Sequence, residues 1–229
     1  MHTSLNRQYY FRSRWVNALL GMAIAAGLLS CSAPASRATA VYLLVDTSGT
    51  YTKELAKAQG IVNYLLATLN TGDSLGVARI DSGSFTEKNI INKVTFDARP
   101  SFANDQKRAF KRAIDDYVAS VTKGSDHTDI TGGILQATQY LNETGAKKKY
   151  ILVFSDLEED LKEGQVRDFP LELMGIQIVA VNVTKLRSDN IDPRDYLNRV
   201  EQWKKRVSDG GGQWRVVNDL DNLDKLLSG

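Results

Sequence analysis

The feature that most constrains the fold is an alternation of short apolar runs with amphipathic helical segments from Ala40 onward. Continuous apolar runs at residues 41–45, 150–155 and 176–183 are typical of strands that are covered on both faces of a sheet. The segment after the first run carries apolar residues at helical spacing, namely Leu55, Ala58, Val62, Leu65, Leu66 and Leu69. Strands that alternate with such helices predict a mostly parallel sheet.

The remaining elements complete this pattern. Runs at residues 74–80 and 90–96 are separated by a short polar turn, which predicts a hairpin and therefore one antiparallel edge strand. Further helices are predicted at residues 104–121, from Thr131, and from Asp192, where the aspartate caps and Pro193 fits the first turn. The stripe of that last helix is predicted to be buried through Tyr196, Leu197, Val200, Trp203 and Val207.

The two remaining predictions concern residues 157–174 and the end of the chain. Residues 157–174 are acidic and then contain Pro170, so a short or broken helix is expected there. A last strand at residues 214–217 precedes a short helix capped by Asp219. We therefore predict one domain over residues 40–229, a doubly wound, Rossmann-like α/β fold with helices on both faces of a mostly parallel sheet.

Composition fits one globular domain preceded by a targeting segment. With 29 basic and 27 acidic residues, the net charge of +2 gives no general attraction to nucleic acid, so none is expected as a partner. Cys31 is the single cysteine, which excludes an intramolecular disulfide. This cysteine therefore needs another explanation.

The first forty residues supply one. Arg7, Arg12 and Arg14 precede an apolar run at residues 15–29, which is the order of a secretory signal and is too short for a comfortable membrane span. The run ends in Leu-Leu-Ser before Cys31, and this resembles the lipobox of bacterial lipoproteins. The resemblance implies cleavage before Cys31 and acylation of that residue. An uncleaved signal anchor is the alternative.

These patterns predict a signal peptide over residues 1–30 and an acylated cysteine with a linker over residues 31–39. Several acyl chains make a stable membrane anchor. Ser32 after the cysteine resembles the outer-membrane sorting class. We expect a lipid-anchored protein of the bacterial envelope, facing the periplasm or the cell surface, with a linker that extends at most about 30 Å.

Oxygen-bearing side chains cluster where the predicted central strands end. In open α/β sheets ligands bind at the carboxyl ends of the strands. Asp46, Ser48 and Thr50 follow the first strand, Thr128 precedes a helix, and Asp156 follows the strand at residues 150–155. Together they resemble a shell for a hard cation. Taken alone, the turn with Asp46, Ser48 and Thr50 is explained equally well as an Asx or Ser/Thr turn that caps the next helix. Thr128 alone is more typical of a helix cap, and Asp156 alone of an ordinary aspartate at a strand end.

The donor types favour Mg²⁺. This ion prefers near-octahedral oxygen ligands at about 2.0 to 2.1 Å and gives up water reluctantly. Because the proposed shell lacks cysteine and histidine, zinc and copper are disfavoured. Mn²⁺ and Ca²⁺ are the alternatives among hard cations.

At this point the sequence resembles the von Willebrand factor type A (VWA) family over residues 39–229. The family's metal-ion-dependent adhesion site begins Asp-x-Ser-x-Ser, matched here by Asp46, Ser48 and Thr50, and its later threonine and aspartate correspond to Thr128 and Asp156. The resemblance implies that the hydroxyls bind metal directly and that the aspartates often act through water. It further implies a protein partner whose Asp or Glu completes the shell.

One departure concerns the residue after the last aspartate. The family often has glycine there, whereas this chain has Leu157 followed by acids at residues 158–160. These acids are typical of a solvated helix start. The alternative is an acidic lip, which would repel an acidic ligand or hold a second cation.

Catalytic interpretations find less support. A strand that ends in aspartate also resembles haloacid dehalogenase-type phosphatases, with Asp46 as nucleophile, but their second aspartate is replaced by Ser48. Ser48 lacks a Gly-x-Ser-x-Gly elbow, and no phosphate-binding glycine loop is present. We expect a binding module and not an enzyme. A divergent phosphatase and a metal-free scaffold remain the alternatives.

Overall fold

A computed structural model of the chain describes residues 38–49, 54–184, 186, 192–221 and 223–227. The chain divides into a unit of residues Met1–Ala35 and a unit of residues Ser36–Gly229, and the described residues all belong to the second. The predicted signal peptide and Cys31 lie outside the described residues. Their assignment stays a prediction.

In the part of the chain that the structure describes, six strands form one sheet. They are β1 (Thr39–Asp46), β2 (Ser74–Ile80), β3 (Ile90–Thr95), β4 (Lys148–Phe154), β5 (Ile176–Val181) and β6 (Gln213–Val217). Their order is β3-β2-β1-β4-β5-β6. All neighbours are parallel except β2 and β3, which are antiparallel. The predicted mostly parallel sheet with one antiparallel edge strand is confirmed.

Within the described residues, four α-helices cover the two faces of this sheet. They are α1 (Leu55–Thr68), α2 (Pro100–Ser120), α3 (Ile130–Glu143) and α4 (Pro193–Asp209). Side chains of β1 alternate between two cores, because successive strand residues point to opposite faces. Val41, Leu43 and Val45 pack with α1 and α2, whereas Tyr42 and Leu44 pack with α3 and α4. The central strand is therefore buried on both sides, as its apolar run predicted.

The expected helix within residues 157–174 is wrong, since this stretch of described residues has no helix. The physical reason is that its backbone is already paired elsewhere. Thr128 and Asp160 exchange both backbone hydrogen bonds, with N···O distances of 2.8 and 3.0 Å, so residue 160 cannot also join a helical ladder. We call residues 157–171 the strap, which links Asp156 to the segment before β5.

Three smaller differences also have local causes. Helix α2 begins at Pro100 and not at residue 104, because proline suits the first helical turn. Leu197 is 63% exposed, since Trp203 and Val207 set the buried stripe of α4 on another side. The final helix is a single 3-10 turn, Leu223–Leu226.

The parallel strands give the sheet two distinct edges. We call the edge where β1, β2, β4, β5 and β6 end the carboxyl edge, and the opposite edge the base. The chain enters the domain at the base, where β1 starts at Thr39. Within the described residues, no helix is both long and apolar enough to cross a membrane.

Candidate metal site

Two of the predicted site residues lie side by side at the carboxyl edge. Strands β1 and β4 are parallel neighbours, with Val45 opposite Phe154. Asp46 ends β1, and Asp156 lies two residues beyond the end of β4. Because both strands run in the same direction, their terminal carboxylates emerge at one place.

Asp46 is fully buried and its two oxygens are oriented by neighbouring serines. Oδ1 accepts a hydrogen bond from the backbone N–H of Ser48 at 2.8 Å. Oδ2 accepts one from the hydroxyl of Ser155 at 2.7 Å. Burial raises the pKa of Asp46, and the bonds from Ser155 and Ser48 oppose that rise. Ser155, which the sequence reasoning missed, thus orients the first carboxylate.

Asp156 is only 4% exposed, and its environment disfavours its charge. Burial is the main cause that raises the pKa of Asp156 to about 6. The N–H of Glu158 lowers this pKa, and the negative charge of Asp46 raises it. Among the described residues no salt bridge reaches either carboxylate, but the positive charge of Arg199, which donates to the Asp156 carbonyl oxygen at 2.9 Å, also lowers the pKa of Asp156. The two acids therefore repel each other in a poorly solvated place.

The hydroxyl-bearing loops meet next to these acids. The N–H of Ser125 donates to the carbonyl of Thr47 at 2.7 Å, which joins the loop before α3 to the loop after β1. A Cβ on Gly124 would lie 2.6 Å from the Cα of Gly49, so only glycine permits this approach. The loop that carries Thr128 is thereby held against the loop that carries Ser48. Thr50 lies outside the described residues.

Leu157 explains the departure from the family pattern. Its φ of 67° lies in the left-handed region that glycine adopts without steric cost. The side chain is 1% exposed, and its backbone is held by Ser155 Oγ, which accepts from the Leu157 N–H at 3.0 Å, and by Trp203 Nε1, which donates to the Leu157 carbonyl at 2.9 Å. Burial and hydrogen bonds here replace the conformational freedom of glycine.

The acids at residues 158–160 do not begin a helix, so that expectation is wrong. Glu159 Oε2 pairs with Arg206 at 3.2 Å, and Glu159 Oε1 accepts from the N–H of Thr131 at 2.7 Å. Asp160 lies 3.0 Å from His127 Nδ1. Glu159 is therefore paired with an arginine and Asp160 is hydrogen-bonded to a histidine, so these acids make specific contacts within the fold.

Sequence reasoning also missed a buried ion pair beside Thr128. Asp129 has 0% exposure and accepts two hydrogen bonds from Arg167, at 3.1 and 2.8 Å. In the sequence, Asp129 is noticed only as the residue after Thr128. No motif spacing connects it with Arg167, which lies 38 residues later. Only the path of the strap reveals the pair.

The donor set fits a hard, hydroxyl-coordinated cation. In the described part of the chain, no group of three or more His, Cys, Asp or Glu side chains could hold a metal ion. Two close, buried carboxylates beside hydroxyl-bearing loops match Mg²⁺, which keeps several waters and few carboxylates. A divalent cation would offset the repulsion between Asp46 and Asp156.

Comparisons with known proteins come from solved structures. No protein-family model matches the sequence, and no curated protein matches it. A VWA protein from Catenulispora acidiphila is 13% identical, over 83% of this chain and 41% of that one, with a TM-score of 0.49. A mutant of the PilB minor pilin from Streptococcus sanguinis is 11% identical, over 85% and 60%, with a TM-score of 0.50. The chain thus spans less than two thirds of either protein.

A third solved structure is matched over nearly its whole length. It is an aerotolerance-related membrane protein from Bacteroides fragilis with multiple mutations to serine, 16% identical over 82% of this chain and 96% of that one, with a TM-score of 0.45. At such identities the likeness concerns the fold alone. The sheet order confirms the predicted doubly wound, mostly parallel α/β fold, and the minor pilin, at a TM-score of 0.50, shares that fold.

Proposed function

We propose that this chain is a membrane-anchored VWA-like binding module that engages a protein partner through a metal-ion-dependent adhesion site. The observation that carries the proposal is the buried pair Asp46 and Asp156, whose like charges repel each other at one place and are offset only in part by Arg199. Burying like charges that are offset only in part is costly. A bound cation is the simplest reason to keep both acids at this edge.

The residues have distinct roles in this proposal. Ser48, Thr50 and Thr128 supply hydroxyls to a Mg²⁺-type ion, and Asp46 and Asp156 hold it through water. When bound, the ion supplies an electrophilic centre for a partner's carboxylate. Hydrogen bonds from Ser48 and Ser155 support this role, because they fix the orientation of Asp46.

The direction of binding follows from the position of the site in the fold. The chain enters at Thr39, at the base, and Asp46 ends the same strand of eight residues. At roughly 3.3 Å per residue, the site is about 23 Å from that entry point. With Cys31 acylated and held in the outer membrane, we infer that the site points away from the anchoring membrane toward a partner in the aqueous space or on the opposite layer.

Calorimetric titration of the full chain with Mg²⁺ and Mn²⁺ tests the metal site. We expect saturable binding to one site, weakened on the order of 100-fold in Asp46→Ala, as for loss of a residue that orients the ligands. Asp97→Ala is the matched control, because Asp97 is paired with Arg99 at the base and its loss leaves the affinity unchanged. No binding by the wild type would contradict the proposal and favour a metal-free scaffold.

Partner binding and catalysis need separate measurements. We expect a partner that the wild type retains on beads to be released by a chelator and not retained by Asp46→Ala. A phosphatase assay with an aryl phosphate should show no turnover. Metal-dependent turnover that is abolished in Asp46→Asn would overturn the binding assignment in favour of a phosphatase.

A further inference from the structure

The strap joins two loops of the candidate site through buried polar contacts. It starts directly after Asp156 and passes over the amino terminus of α3, next to Thr128. Its described residues form neither helix nor strand apart from the bridge between Thr128 and Asp160. Side-chain contacts must therefore fix its path.

Asp129 is the centre of these contacts. As the residue that caps α3, it accepts from the N–H of Gly132 at 2.8 Å. It also accepts from the N–H of Ser84, in the loop after β2, at 3.1 Å. Two residues of the strap complete the arrangement: Arg167 donates one bond to each carboxylate oxygen, and Gln165 Nε2 donates a longer one to Oδ2, at 3.4 Å. One buried carboxylate thus ties three segments together.

The Arg167–Asp129 pair is charged and geometrically specific. Burial would raise the pKa of Asp129, but the bonds from Arg167, Gly132 and Ser84 outweigh it and hold that pKa below its usual value. The Arg167 side chain is only 19% exposed. Two parallel N–H···O bonds between guanidinium and carboxylate fix the relative orientation of both groups.

A second pair holds the beginning of the strap. Glu159 accepts from the N–H of Thr131 and pairs with Arg206, and Arg206 Nη2 also donates to the Thr131 hydroxyl at 3.0 Å. The start of α3 is therefore held by the strap at two points. Both points lie within three residues of Thr128.

We propose that Arg167 is a positioning residue of the metal site. By holding Asp129, it fixes the loop that presents Thr128 and the strap that follows Asp156. Without Arg167, the buried Asp129 carboxylate has no cationic partner, and removing one member of a buried pair leaves an uncompensated charge. The loop that carries Thr128 and the strap after Asp156 are then no longer held at a fixed distance from each other. This inference rests on the proposed function, because it assigns a role toward the same metal site.

The test compares Arg167→Met, Arg167→Lys and Arg99→Met with the wild type. Arg99 is the matched control, since it makes the same two-bond contact to Asp97, but on the surface at the base. We expect Mn²⁺ affinity to fall roughly 10- to 100-fold in Arg167→Met, as for other residues that orient ligands. Arg167→Lys keeps the positive charge but cannot make two parallel hydrogen bonds to the carboxylate, so its loss of Mn²⁺ affinity should be smaller. Arg99→Met should lose no affinity.

Hydrogen exchange of the metal-free chain separates positioning from general destabilisation. In Arg167→Met we expect faster exchange at the amides of Thr128 and Asp160, with β1 and β4 unchanged. Should Arg167→Met fail to fold, Arg167→Lys carries the same comparison. Unchanged exchange at Thr128 and Asp160 overturns the inference, as does uniformly faster exchange through the sheet or an Arg167→Met affinity within twofold of wild type.

The two proposals fail in different ways. If the wild type binds no metal, the proposed function is lost, but the exchange data still show whether Arg167 fixes the Thr128 loop. If the wild type binds metal and the Arg167 variants bind equally well, only the positioning role is lost.

Discussion

The buried carboxylates at the two edges of the sheet have opposite environments. At the base, Asp73 is 8% exposed, and it accepts from the N–H groups of Thr39 at 2.7 Å and Asn70 at 2.8 Å. These bonds tie the start of β1 to the turn before β2. At the carboxyl edge, Asp46 and Asp156 lie close enough to repel each other. Asp73 stabilises a turn, whereas Asp46 and Asp156 lie together at a place that is suited to a cation.

The backbone shows the same contrast. Gly72, Gly145, Gly175 and Gly211 adopt positive φ in turns at the base, where glycine pays little steric cost. Among the described residues, the non-glycine residues with positive φ are Leu157 and Asn182, and both follow strands at the carboxyl edge. Strain of this kind persists where surrounding structure over-determines the backbone. In the turns at the base positive φ is thus taken by glycine, whereas directly after β4 and β5 it is taken by two residues that carry a Cβ.

The largest effect that we expect from this contrast is a pH dependence of the metal-free chain. Because the pKa of Asp156 is raised from 3.8 to about 6, the folded state keeps a proton that the unfolded state has released. The free energy of unfolding therefore falls as pH rises from about 4 to about 6, by about 2 to 3 kcal/mol. Asp129, with its lowered pKa, acts in the opposite sense only near and below its unfolded value.

Urea unfolding in the presence of a chelator measures this slope. Asp156→Asn should reduce this slope, and the part that remains should come from Asp46, whose pKa burial also raises. A wild-type stability that is constant or rises over this interval would remove the electrostatic distinction between the two edges.

An intermediate effect is expected at the base. Asp73→Ala leaves the N–H groups of Thr39 and Asn70 without their acceptor, which should lower the free energy of unfolding by about 2 kcal/mol. Metal affinity should stay at the wild-type value, because Asp73 lies at the opposite edge. Chemical denaturation and calorimetry of the same sample check both statements. A loss of affinity in this variant would show that the two edges are coupled.

The smallest effect concerns Leu157. Replacing it with alanine or glycine removes a buried side chain in both cases, so both variants should be less stable than the wild type. Glycine, however, adopts positive φ without the penalty of a Cβ. We expect Leu157→Gly to be more stable than Leu157→Ala by about 1 kcal/mol, as measured by thermal unfolding. The reverse order would mean that the backbone at Leu157 is not strained.

Much of the fold could be predicted because the elements have clear periods. The apolar run before Asp46 predicted β1, because that strand lies between two layers of helices. The helical spacing of apolar residues from Leu55 predicted α1, because that helix presents one apolar face to the core. Leu197 was predicted to be buried but is exposed, because helical spacing in the sequence marks a wider apolar face than the one that is buried in the fold. The strap was mistaken for a helix, because the pairing of Asp160 with Thr128 depends on a segment that is distant in sequence.

The candidate site divides in the same way. The residue types of Asp46, Ser48, Thr128 and Asp156, and their places after predicted strands, could be read from the chain alone. Ser155, Gly124 and the Asp129–Arg167 pair could not. Each acts on a partner that becomes a neighbour only when loops from different strands meet, and single-chain periodicity carries no signal for such meetings.

By itself, the sequence determined the alternation of strands and helices and placed oxygen donors where central strands end, because hydrophobic periodicity and local turn chemistry act over a few residues. The tertiary structure alone decided that Asp46 and Asp156 are buried together, that Leu157 takes a conformation usual for glycine, and that Arg167 holds Asp129. These features depend on solvent exclusion and on contacts between distant segments, which exist only once the sheet has assembled.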